Sequence, residues 1–77
     1  MDKYIVIEIY TSDNSLLVVK SPIRNSVHKS ISSLTNFIHE SFNDKELEII
    51  TIIGEYESVT VRKKDIIKIL INGRGAI

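Results

Sequence analysis

The sequence contains no cysteine, which excludes a disulfide framework and any thiolate metal site. It also lacks an excess of charge of either sign. Ten basic and ten acidic residues cancel, and neither sign forms a long run. Whole-molecule attraction to nucleic acid or to an anionic membrane therefore has little basis. The opening MDKYIVIEIY has an apolar run too short and too interrupted for a signal peptide or a membrane span. The expected location is cytoplasmic. Low-complexity segments are absent, and the only internal repetition is a loose hairpin–helix–hairpin symmetry. A chain of 77 residues has room for one domain, 1–77, and no second core. A domain of this size buries only about 60–65% of its unfolded surface, so its stability is marginal without help.

What is present is a chain of strands around one helical segment. From Pro22 to Asn43 the apolar residues Ile23, Val27, Ile31, Leu34, Ile38 and Phe42 recur every three or four positions, on one side of a helix. Ser21 suits the N-cap and Pro22 the first helical position, where a missing N–H costs nothing. The opposite side is serine- and asparagine-rich. Such residues are weak helix formers, so this helix needs something to pack against.

Before it, Lys3–Thr11 alternates, with Ile5, Ile7 and Ile9 facing one way and Tyr4, Val6, Glu8 and Tyr10 the other. Ser12–Ser15 is a turn cluster, and LLVVK at 16–20 completes a hairpin. After the helix, Leu47–Ile53 and Tyr56–Arg62 predict a second hairpin. Gly54-Glu55 would supply a two-residue type II′ turn that sets Ile53 opposite Tyr56 and Ile50 opposite Val59. Ile66–Ile71, with four β-branched residues in IIKILI, predicts a final strand rather than a short helix. Asn72–Ile77 is expected to be a loose tail. The order ββαβββ implies an α+β fold, a mostly antiparallel sheet with the helix packed on one face. A small half-closed barrel plugged by the helix is the alternative.

One helix cannot cover both faces of such a sheet, yet the strands are apolar on both. Tyr4, Val6, Tyr10, Ile49, Ile53 and Tyr56 fall on the uncovered side. Apolar patches beyond a few hundred Å² mark interaction sites, and tyrosine tolerates both burial and water at a rim. These six residues are the expected protein interface. Isolated exposed apolar residues are ordinary in small isoleucine-rich domains, so the weight falls on their forming a patch.

Chemical motifs are scarce. His28 and His39 lie eleven residues apart, about 16 Å along a helix, so they cannot share a metal ion, and they suit boundary positions beside the stripe. No serine occupies a glycine-flanked nucleophile elbow. Glu55 and Glu57 at a hairpin tip serve as solubilising charges rather than an acid–base pair. Gly73 and Gly75 open no helix and so cradle no phosphate. No catalytic residue, cofactor or metal is expected, and so small a chain offers little volume for a catalytic cleft. Arg62, Lys63 and Lys64 are the best nucleic-acid feature, since adjacent cations can meet phosphates and tyrosines can stack on bases. No nucleic-acid-binding signature accompanies them.

The expected function is thus that of a small non-enzymatic protein-interaction module. It would self-associate and act as a regulatory or inhibitory accessory protein. Abundant isoleucine, lysine and asparagine match an AT-rich genome, such as that of a low-GC bacterium or its phage. Its partners are another protein, a second copy of itself, or both, and no membrane. Nucleic acid bound through Arg62, Lys63 and Lys64 is the alternative.

Overall fold

A computed structural model describes residues 4–22, 31–54 and 56–77. The helix positions Ile23 and Val27, together with His28 and Glu55, lie outside the described residues. The element order is β1 (Tyr4–Thr11), β2 (Leu16–Pro22), α1 (Ile31–Asn43), β3 (Ile49–Ile53) and β4 (Ser58–Arg62). A 3-10 turn (Lys63–Asp65), β5 (Ile66–Ile71) and β6 (Arg74–Gly75) follow. The fold is α+β, with one helix packed against antiparallel sheets, as the sequence implies. The strands divide between a four-stranded sheet ordered β2-β1-β5-β6 and the separate pair β3-β4. They do not close into a barrel.

The period-two alternation of β1 translates directly into burial. Ile5, Ile7 and Ile9 are buried while Tyr4, Val6, Glu8 and Tyr10 are not. The buried row joins Val19, Ile69 and Ile71 of the same sheet, Ile50, Ile52 and Val61 of the β3-β4 pair, and Leu34 and Ile38 of the helix. The core therefore lies between the inner faces of both sheets and one side of α1.

Local features differ from expectation, each with a physical reason. Ser21 and Pro22 are not the helix cap and first turn; they extend β2, opposite Ile5 and Tyr4. Pro22 is tolerated there because β2 is an edge strand, and its missing N–H falls on the unpaired side.

The buried arc of α1 is rotated toward Phe37 and Ser41, and Ile31 is 41% exposed. Buried Ser41 satisfies its hydroxyl by donating to the Phe37 carbonyl at 2.8 Å.

The β3-β4 pair sets Ile53 opposite Ser58 and Ile50 opposite Val61, two residues away from the expected register. The connection is four residues long, closed by Gly54 N–H donating to the Glu57 carbonyl at 2.6 Å. Gly54 is needed for proximity rather than for a turn with positive φ. A Cβ there would meet Val19 Cγ1 at 2.6 Å and the Lys20 carbonyl at 2.9 Å. Because the slip is by two, every side chain keeps its face.

Finally, a bulge shifts the β1-β5 register between Tyr10 and Thr11, from Tyr10 opposite Lys68 to Thr11 opposite Ile66. The extra residue, Ile67, is thrown outward at 61% exposure instead of joining Ile69 and Ile71 inside.

In the segment expected as a loose tail, Asn72 and Gly73 take φ of 50° and 81°. Two successive positive φ values make the tight turn that asparagine-glycine favours. Arg74–Gly75 then pairs with Leu70–Ile71 as β6, and Ala76 N–H donates to the Ile69 carbonyl at 2.8 Å.

Candidate interaction surface

The outer face of the four-stranded sheet is built by the second row of β1 and its neighbours across the ladders. Tyr10 lies opposite Leu16, Glu8 opposite Val18 and Val6 opposite Lys20, while Leu70 and Lys68 flank Glu8 and Tyr10 from β5. Tyr4, Leu16 and Val18 are exposed, and Val6, Tyr10 and Leu70 half-buried. No described element covers this face. A polar group is set into it: Tyr10 OH donates to Glu8 Oε2 at 3.3 Å, and Lys68 Nζ stands 4.6 Å above the Tyr10 ring. Desolvation and then the Glu8 carboxylate push the Tyr10 phenol above its ordinary pKa of 10.0. Tyr10 therefore stays neutral throughout the physiological range.

The other expected interface residues stand elsewhere. Ile49 and Ile53 are exposed on the outer side of β3, separated by a Thr51–Thr60 hydroxyl hydrogen bond of 2.9 Å. Tyr56, 92% exposed, caps the β3-β4 tip. The structure thus brings Tyr4, Val6 and Tyr10 together on one sheet and Ile49 and Ile53 on the other. Each group turns away from the shared core. The sequence shows two apolar faces but not that the strands divide between two sheets. It also passes over Leu16 and Val18, whose alternation within LLVVK is hidden by a continuous apolar run.

The cluster Arg62, Lys63 and Lys64 lies at the end of β4 and in the 3-10 turn, and two of its cations are engaged. Arg62 Nε pairs with Asp65 Oδ2 at 3.1 Å. Lys63 Nζ donates to the Asp44 carbonyl at 2.8 Å and sits 5.7 Å above the Phe42 ring. Lys64 is exposed.

A groove of about 500 Å³, larger than so small a chain suggests, separates the β1-β2 turn from β4. It is lined by Thr11, Asp13, Leu17, Val61, Arg62 and Asp65, among others. Its carboxylates hold the frame together. Asp13 accepts from Thr11 Oγ1 at 2.5 Å and from Ser15 N–H at 3.1 Å, and these bonds lower its pKa below the ordinary 3.8. A general base working near neutrality needs the opposite shift. Asp65 is held by Arg62 and accepts Ser12 N–H on its carbonyl at 2.8 Å.

His39 Nε2 meets the Ala76 carbonyl at 2.6 Å, linking α1 to the segment after β6. Among the described residues, no group of three or more His, Asp or Glu residues is placed to hold a metal ion. None of their helices is long and apolar enough to cross a membrane.

Comparison with known proteins finds no matching family model, curated protein or solved structure.

Proposed function

We propose that this chain is a small non-enzymatic protein-interaction module that self-associates. In this reading it acts as a regulatory or inhibitory accessory protein by occupying a surface on another protein. The observation that supports it is the uncovered outer face of the four-stranded sheet. Tyr4, Val6, Tyr10, Leu16, Val18 and Leu70 there place apolar side chains on three adjacent strands, around the Glu8 carboxylate and Lys68. Clustered apolar side chains rimmed by polar groups are where soluble proteins meet partners. Ile49, Ile53 and Tyr56 offer a second, smaller surface.

The test is affinity capture from a host lysate, comparing wild type with Val6→Lys, a charge placed at the middle of the β1 row. Captured proteins should be identified by mass spectrometry, and circular dichroism should show the variant folded. Wild type is expected to retain a discrete set of proteins that the variant loses. An identical set on both baits, or captured nucleic acid in place of protein, overturns the reading.

A further inference from the structure

We propose that the self-association takes place edge to edge, through antiparallel pairing of β2 with β2 of a second copy about Leu16 and Val18. This deepens the reading above by naming one partner and its register. The argument begins with the direction of the backbone groups. Asn72 N–H donates to the Val6 carbonyl at 2.8 Å, and Asn72 Oδ1 accepts Val6 N–H at 2.8 Å. Val6 therefore turns its backbone away from β2. Because direction alternates along a strand, Glu8 and Tyr10 turn the same way, and Ile5, Ile7 and Ile9 turn toward β2. Their partners Ser21, Val19 and Leu17 answer back. Leu16, Val18 and Lys20 are left pointing out of the sheet.

That edge is open over only part of its length. At one end Pro22 has no N–H to offer. At Lys20 the β3-β4 tip stands against the strand, with a Gly54 Cβ position 2.9 Å from the Lys20 carbonyl. Leu16 and Val18 remain, and among the described residues no backbone group pairs with them on the outer side. Natural sheets guard a free edge with proline, bulges or charge. Here proline and the hairpin tip guard one end; at the other, β4 stands off across the groove lined by Leu17, Thr60 and Val61 and leaves the outer backbone of Leu16 and Val18 unpaired among the described residues.

The window is self-complementary. Setting Leu16 opposite Val18 of the second copy puts Val18 opposite its Leu16, with the two-fold axis at Leu17, as a closed symmetric dimer requires. Each such pair exchanges both N–H···O bonds, giving about four across the interface. Opposite residues in an antiparallel ladder share a face, so the exposed Leu16 and Val18 side chains meet their counterparts on the outer side. The chain then enters its Ser12–Asn14 turn before it would reach Lys20 of the other copy. The two sheets become one continuous sheet, and the two apolar outer faces become one. A contact this short falls below the standard size of a stable interface, so the dimer is concentration-dependent.

Sedimentation equilibrium from micromolar to millimolar concentration should show the mass rising from monomer to dimer. Amide exchange followed by NMR on the wild type should slow at Leu16 and Val18 as concentration rises, and not at Val6 or Glu8. Val18→Pro removes the outward N–H in each copy while leaving the β1-β2 ladder intact, and should weaken the dimer on the order of tenfold or more. A constant monomer mass, or exchange at Val18 indifferent to concentration, overturns the proposal. So does a folded Val18→Pro variant that dimerises as before. Should that variant unfold, the wild-type exchange decides alone. A strict monomer that still loses its captured proteins on Val6→Lys would remove the dimer and leave protein binding standing.

Discussion

Gly54 shows how one residue joins the two sheets. Its φ is not in the left-handed region, so its backbone would accept a side chain. The obstacle is space, because the Lys20 carbonyl and Val19 Cγ1 occupy the place of a Cβ. A backbone oxygen cannot swing aside as a side-chain tip can. Gly54→Ala should therefore cost about 1–3 kcal/mol, the usual penalty for overpacking, read as a lower urea midpoint with an unchanged slope. A variant as stable as wild type would show that the β3-β4 tip does not press on β2. Asp13 gives a second residue-scale prediction. Its carboxyl titrates below 3.8 when folded, mainly through the Thr11 hydroxyl. Its contribution to stability is thus complete above the unfolded value and is lost as pH falls through the lower, folded one. Thr11→Val should raise the Asp13 pKa toward 3.8, and an NMR titration of its side-chain carboxyl carbon would show the move.

At the scale of elements, alternation in β1 and in Ile49–Ile53 was legible because one face is buried and the other is not. Their rows appear in the structure as written in the sequence. What escaped were signals with two meanings. Ser-Pro reads equally as a helix start and as the end of an edge strand, and only the position of β2 at the sheet's edge decides. Glycine after Ile53 suggested a tight turn but serves close approach. Asn72-Gly73 is the strongest short hairpin signal, but the strand after it is only two residues long and carries no alternation to read. The uncovered sheet face was legible as a surplus of apolar residues, but its division between two sheets depends on long-range packing that no local pattern encodes. The helix separates positions of like sequence in the same way. Ile38 is fully buried while Ile31 is 41% exposed, though both lie on the stripe. Ile38→Ala should cost about 2–5 kcal/mol, and Ile31→Ala should stay within about 0.5 kcal/mol, in matched urea denaturations. Equal losses would mean that α1 packs along its whole apolar stripe rather than on the rotated arc.

Over the whole molecule, charge is balanced and locally spent. Ten cations face ten anions, and within the most basic stretch Arg62 is paired to Asp65 while Lys63 is held by the Asp44 carbonyl and the Phe42 ring. Tyr10, one of the tyrosines that could stack on a base, already carries Lys68 over its ring. A phosphate backbone would have to displace these contacts before gaining its own, and no net field draws it in. Each phosphate contact that did form would add about one unit to the slope of log affinity against log salt. Fluorescence anisotropy with a labelled oligonucleotide should therefore show at most weak binding at low salt, vanishing near physiological ionic strength. Substituting Arg62, Lys63 and Lys64 together by alanine should change little. A steep salt slope that the triple substitution flattens would instead favour the nucleic-acid alternative. It would also mean that the Asp65 and Asp44 contacts yield to phosphate.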